Sequence, residues 1–271
     1  MRLFLTKMKF LYLFLFLLIA CNDNNSVSDN PTDTTLPPPP PPSTVENLPI
    51  PDNRYVDSYQ ILLFGNSHVR VHNLADVIQL LLEQGTDKYA ISIVGPGMGY
   101  LDSRFNDGVT AETIESRRWS HVIWQAQKYS TSGKYTYPTS AAEYWIELTK
   151  QQGATPILFP EHPREGNKEE GMRIYALHVD ITSRAAACVA PIGPAWDLAI
   201  KNLPDVSFHI DGNHASINGT LLTALIFYQV ITGESVENLV YIPQINVAET
   251  LQAELRQIAA ATFQQFTDCI Y

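Results

Sequence analysis

Three residues able to carry out acyl transfer together stand at two places in the chain. Ser67 lies in Gly65-Asn66-Ser67-His68, and Asp211 and His214 lie in the run FHIDGNHASING from Phe208 to Gly219. A serine hydroxyl is a weak nucleophile until a base takes its proton and a third group orients that base. Asp211 precedes His214 by three residues, so its carboxylate can fold back onto one imidazole nitrogen and leave the other for the serine. Acyl transfer also needs donors aimed at the developing oxyanion. Candidates are the backbone N–H of Ser67, a backbone N–H within Gly95-Pro96-Gly97-Met98-Gly99, and the side-chain amide of Gln127. Each also has a plainer use: serine as a helix cap, glycines in a tight turn, and Gln127 as a partner for loop backbone.

His68, His72 and Asp76 offer a different chemistry, because their spacing would place metal ligands on one helix face. No glutamate base lies between the histidines and no further ligand completes the set, so neither a metal nor a cofactor is expected. Cys188 and Cys269 either form a disulfide or stay as two buried thiols, and spacing does not choose between these.

The elements that position these residues follow from hydrophobic period. Ile61 to Phe64 is a short apolar run suited to a buried parallel strand, and Leu74, Val77, Ile78, Leu81 and Leu82 recur as one helix face. Ser67 then sits between strand and helix, near amides that favour negative charge. Further strands are predicted at Tyr89 to Val94, His121 to Gln125, Thr155 to Phe159 and Ala187 to Ile192. Helices are predicted at Ala141 to Gln152, Gly171 to Ala186, Ala195 to Asn202, Ala215 to Ile231 and Ala248 to Phe266. Alternation of this kind implies an α/β fold, a doubly wound parallel sheet of about five strands. In the order 2-1-3-4-5, Ser67 and Gln127 end adjacent strands at the carboxyl edge, where ligands bind.

Gly65-Asn66-Ser67-His68 after the first strand, a glycine loop after the second, a polar amide after the third and Asp-x-x-His before a late helix together resemble the SGNH hydrolases, or GDSL-like lipases and esterases. The likeness runs from about Tyr59 to Gly233. It implies a three-layer αβα sandwich on a flavodoxin-like sheet, and ester hydrolysis through an acyl-enzyme. In its terms Ser67 is the nucleophile and first oxyanion donor, Gly99 the second donor, His214 the base and Asp211 its orienter. Gln127 takes the place of the third donor, usually an Asn in Gly-x-Asn-Asp, and is one methylene longer. Asn66 replaces the usual Asp beside the serine, and Gly97 competes with Gly99. The stretch Ala190 to Trp196, with Asp211 to Ser216, looks like subgroups that carry glutamine at the third strand. The substrate implied is an ester, with O-acyl groups of carbohydrates as the specific candidate. The rival is a glycan-binding lipoprotein with impaired turnover.

Composition bounds the setting. A net charge of −10 with no basic cluster gives nucleic acid little to bind. Arg2, Lys7 and Lys9 precede an apolar run from Phe10 to Ala20, which at roughly 1.5 Å per residue is too short to span about 30 Å of hydrocarbon but suits a signal peptide. The ending Leu18-Ile19-Ala20-Cys21 resembles a bacterial lipobox. Residues 1–20 are therefore expected to be a lipoprotein signal and Cys21 the lipidated residue. Residues 21–52, with prolines from Pro37 to Pro42, read as a tether, and 53–271 as the domain. The expected location is the bacterial cell envelope, with the membrane reached through lipid. Cys21→Ser should then leave the domain folded and release it from the membrane fraction, and full retention of the variant in that fraction would contradict the anchor.

Overall fold

The computed structural model describes residues 47–266, Cys269 and Tyr271. The signal, Cys21 and most of the tether lie outside the described residues. Residues 47–52, which composition assigns to the tether, pack against the domain. Ile50 is buried, and the buried Lys150 donates to Asn47 Oδ1 (2.9 Å) and the Leu48 carbonyl (2.7 Å). One apolar residue and a buried cation that needs acceptors suffice to hold this stretch, so the folded unit starts before Asn53.

Five strands form one parallel sheet in the order β2-β1-β3-β4-β5. They are β1 (Ser58–Phe64), β2 (Tyr89–Val94), β3 (His121–Trp124), β4 (Thr155–Leu158) and β5 (Cys188–Val189). The helices are α1 (Leu74–Thr86), α2 (Thr110–Glu115), α3 (Ser140–Gln151), α4 (Glu170–Thr182), α5 (Ile192–Asn202), α6 (Ile217–Thr232) and α7 (Glu249–Gln265). The strand order and helix set agree with the expected sandwich. The period of two along β1 divides the core: Ile61 and Leu63 join α1, α5, α6 and α7, while Leu62 and Phe64 join α2, α3 and α4.

Three details differ from the sequence reading. Helix α2 was not expected, because it is only six residues long. The fifth strand is two residues, not the six of Ala187 to Ile192, since Ile192 already starts α5. Helix α1 begins at Leu74 and leaves out His68 and His72, whose spacing had put them on one helix face with Asp76, because His72 (φ 48°) and Asn73 (φ 52°) are left-handed and interrupt the helical path. Cys188 and Cys269 are joined in a disulfide, closing the choice left open by their spacing.

Helices α4 and α5 cross where Gly171 meets Gly193. A Cβ on Gly193 would run into the Gly171 backbone, so the missing side chain sets how closely the helices approach. That crossing also fixes the height of Trp196, which is fully buried on α5. Gly193→Ala should destabilise the fold by about 1–3 kcal/mol through overpacking. Urea unfolding checks this, and an unchanged midpoint would show that the helices separate freely.

Candidate active site

Strand β1 leaves the sheet at Gly65, and Asn66 caps a single 3-10 turn, Ser67–Val69, by accepting the His68 N–H on its side chain (3.1 Å). Ser67 starts that turn, and no protein acceptor takes its N–H among the described residues. Across the carboxyl edge, residues 208–216 form a loop closed by the His209–Ala215 bridge. This loop carries His214 to the serine: Nε2 lies 2.7 Å from Ser67 Oγ, and Nδ1 lies 2.7 Å from Asp211 Oδ2. A carboxylate only accepts, so Nδ1 carries a proton and Nε2 is free to receive the serine's.

Asp211 is exposed, yet its carboxyl is held well below the usual range. Partial burial pushes it up, and the N–H groups of His214 and Asn213 together with the His214 ring outweigh that effect. Oδ1 receives both backbone N–H groups and Oδ2 the ring, so one carboxylate shapes the turn and fixes the imidazole. The spacing of three residues that suggested the pair is the spacing of this turn.

The expected oxyanion donors fare differently. Ser67 N–H is open. Gly99 has its N–H directed at the Gly65 carbonyl (3.3 Å), so this donor is engaged. Gly97 lies in the same loop with its carbonyl accepting from Arg70 (3.3 Å). Gln127 is buried and its amide donates to the carbonyls of Lys128 (2.9 Å) and Pro138 (3.0 Å), which takes up both N–H bonds. The expectation of a third donor at Gln127 is therefore corrected. The reason is backbone geometry: Ala126, at φ 75°, breaks the strand path and sends residue 127 into the following loop. His68, His72 and Asp76 do not share a helix face either, given the left-handed break before α1.

Gln125, Glu161, His162 and Arg104, none of them assigned to the site from sequence, organise this edge together with His68. Gln125, fully buried, accepts the Asn66 N–H on Oε1 (2.7 Å) and donates from Nε2 to Glu161 (2.5 Å). His162 donates from Nε2 to the Asn213 carbonyl (2.8 Å) and stacks on Trp196 with ring centroids 3.9 Å apart. Burial, followed by the neighbouring His68, pulls the His162 pKa well down, so it stays neutral. His68, beside Glu161 and His214, is also lowered, with burial outweighing the pull of Glu161. Arg104, buried and lying over the Phe64 ring, donates to the carbonyls of Gly65 (2.8 Å) and Pro96 (3.3 Å) and so ties the first two loops together. A signal was present for two of these: Glu161 and His162 are a charged and a titratable residue between prolines at the end of a buried strand.

The segment after β4 also bonds to the histidine loop through Glu165 N–H to Gly212 O (2.9 Å) and His209 Nε2 to Pro163 O (2.8 Å). His162→Phe keeps the stack on Trp196 and removes one N–H. It should cost about 1 kcal/mol globally and speed amide exchange at Gly212 to His214. Unchanged exchange there would show that the other two bonds suffice.

Neither a family profile nor a curated protein matches the sequence. Solved structures do. A candidate SGNH hydrolase from Slackia heliotrinireducens aligns at 18% identity and a TM-score of 0.50, covering 64% of this chain and 98% of that one. A DUF4886 family protein from Bacteroides uniformis aligns at 17% identity and a TM-score of 0.56, covering 79% and 98%. A catalytic mutant of an acetylxylan esterase from Geobacillus stearothermophilus aligns at 12% identity and a TM-score of 0.52, covering 66% and 97%. At these identities the likeness establishes the fold, which is that of the SGNH hydrolases.

Proposed function

We propose that the protein is a serine esterase in which Ser67, His214 and Asp211 act as nucleophile, base and orienting carboxylate. The observation that carries this reading is the unbroken chain of two 2.7 Å hydrogen bonds from Asp211 through His214 to Ser67. As Ser67 Oγ attacks the ester carbonyl carbon, its proton passes to His214 Nε2. The tetrahedral intermediate collapses to an acyl-serine, and the leaving alkoxide takes that proton. Water then attacks the acyl group, giving its proton to the same nitrogen, and the acid leaves as Ser67 is reprotonated. Asp211 balances the imidazolium formed in each half, and its depressed pKa keeps it charged throughout. The N–H of Ser67 is the donor available for the oxyanion.

For substrate we propose an O-acyl group on a carbohydrate. Support comes from the acetylxylan esterase among the structural neighbours. We further place the protein in the bacterial cell envelope through Cys21, a setting with which the Cys188–Cys269 disulfide agrees. The engaged N–H groups of Gly99 and Gln127 favour a second reading, a glycan-binding protein with impaired turnover.

A fluorophosphonate probe separates the two. Ser67→Ala should abolish labelling and ester turnover, and Asp211→Asn, which turns an amide toward Nδ1, should lower kcat by roughly 10⁴. Binding of acetylated oligosaccharide by a parent protein that neither labels nor turns over would favour the second reading.

A further inference from the structure

We propose that Glu161 is a positioning residue for the nucleophile, acting through Gln125. The inference rests on the serine-esterase reading above. A side-chain amide has an acceptor at one end and a donor at the other, and the pair can be exchanged by a half turn. At Gln125 the two ends meet different demands: the Asn66 N–H needs an acceptor, and the Glu161 carboxylate needs a donor. Reversing the amide would bring N–H against N–H and oxygen against carboxylate. The carboxylate thereby selects the one orientation in which Oε1 receives the N–H of the residue just before Ser67.

The rest of the carboxylate is held as well. Oε2 accepts from the Tyr129 hydroxyl (3.3 Å) and lies 3.7 Å from His68 Nε2. Glu161 is 8% exposed and Gln125 0%, so water competes little for these bonds, and a charge-assisted bond in such surroundings is strong. The Asn66 peptide is thus fixed by a partner reaching across from β4 by way of the end of β3. Ser67 is the next residue along, and its Oγ must meet both His214 and the substrate carbonyl. The turn has a second hold in the Asn66 side chain, so losing the first loosens the serine without unfolding the domain.

The test uses Gln125→Glu, Glu161→Gln and the double variant in the full chain, with p-nitrophenyl acetate turnover, fluorophosphonate labelling and hydrogen exchange of the Asn66 amide. Gln125→Glu sets two carboxylates face to face. It should lower kcat by roughly 10² through misplacement of the serine, leave KM near the parent value and speed Asn66 exchange. In the double variant the two groups trade places: the carboxylate at position 125 still accepts the Asn66 N–H, and the amide at position 161 donates to that carboxylate. At least a tenfold recovery over Gln125→Glu is therefore expected, a gain of about 1.4 kcal/mol. Should Gln125→Glu fail to fold, Glu161→Gln decides, with lower kcat, unchanged KM and faster Asn66 exchange expected. Parent-like kcat and Asn66 exchange in the single variants, or a folded double variant no better than Gln125→Glu, would overturn the proposal. Ser67→Ala runs beside them. If it hydrolyses the ester like the parent, the esterase reading fails; if it is inactive while the position 125 and 161 variants match the parent, only the positioning role fails.

Discussion

The carboxyl edge of the sheet is organised by the space left beside Gly65. A Cβ there would collide with Gln125 Oε1 and approach the Val69 side chain, so only glycine lets the amide reach the Asn66 N–H. The Gly65 carbonyl meanwhile accepts from Arg104 and from the Gly99 N–H. Loops after three strands therefore meet at a single residue without a side chain. Close packing makes the arrangement intolerant of even one added carbon, since interiors of this density have no slack to absorb it. The same contact explains why Gly99 is unavailable as a donor: its N–H helps to hold the turn.

The other half of the site is assembled by aromatic packing. Trp196 presents a flat surface beneath His162, and its indole N–H is satisfied by Thr223 on α6 (3.0 Å), so the ring is fixed from both sides. His162 then offers its N–H to Asn213 at a fixed height. The segment from Glu161 to Glu165 thus serves both partners, bonding toward the serine turn through Gln125 and toward the histidine loop through His162, Pro163 and Glu165. One short stretch after β4 is thus bonded both to the serine turn and to the histidine loop.

The sheet and its order were legible because burial on both faces leaves continuous apolar runs, and these survive at Ile61 to Phe64 and Val122 to Trp124 whatever surrounds them. Ser67, His214 and Asp211 were legible because two of them share one turn and the third follows a buried strand. Gln127 was misjudged because the placement of a side chain two residues past a strand depends on the dihedral of Ala126, and an alanine gives no warning of a left-handed conformation. Gln125 was missed for a different reason. It is a polar residue inside apolar surroundings whose partners, Asn66 and Glu161, lie 59 and 36 residues away, separations that local pattern does not carry; the prolines around Glu161 mark that residue but not its partner. The stretch from 47 to 52 was read as tether for the same reason, since its packing depends on what the distant Lys150 needs.

That stretch has a geometric consequence. Asn47 and Leu48 are held at the end of α3, and Asn53 bonds to Gly153 and Thr155 where β4 begins. This is the amino end of the strands, while Ser67 and His214 sit beyond their carboxyl ends. Strand β1, seven residues long, separates the two by about 23 Å. Residues 47–53 therefore enter the domain at the edge opposite to the one that carries the serine and the histidine.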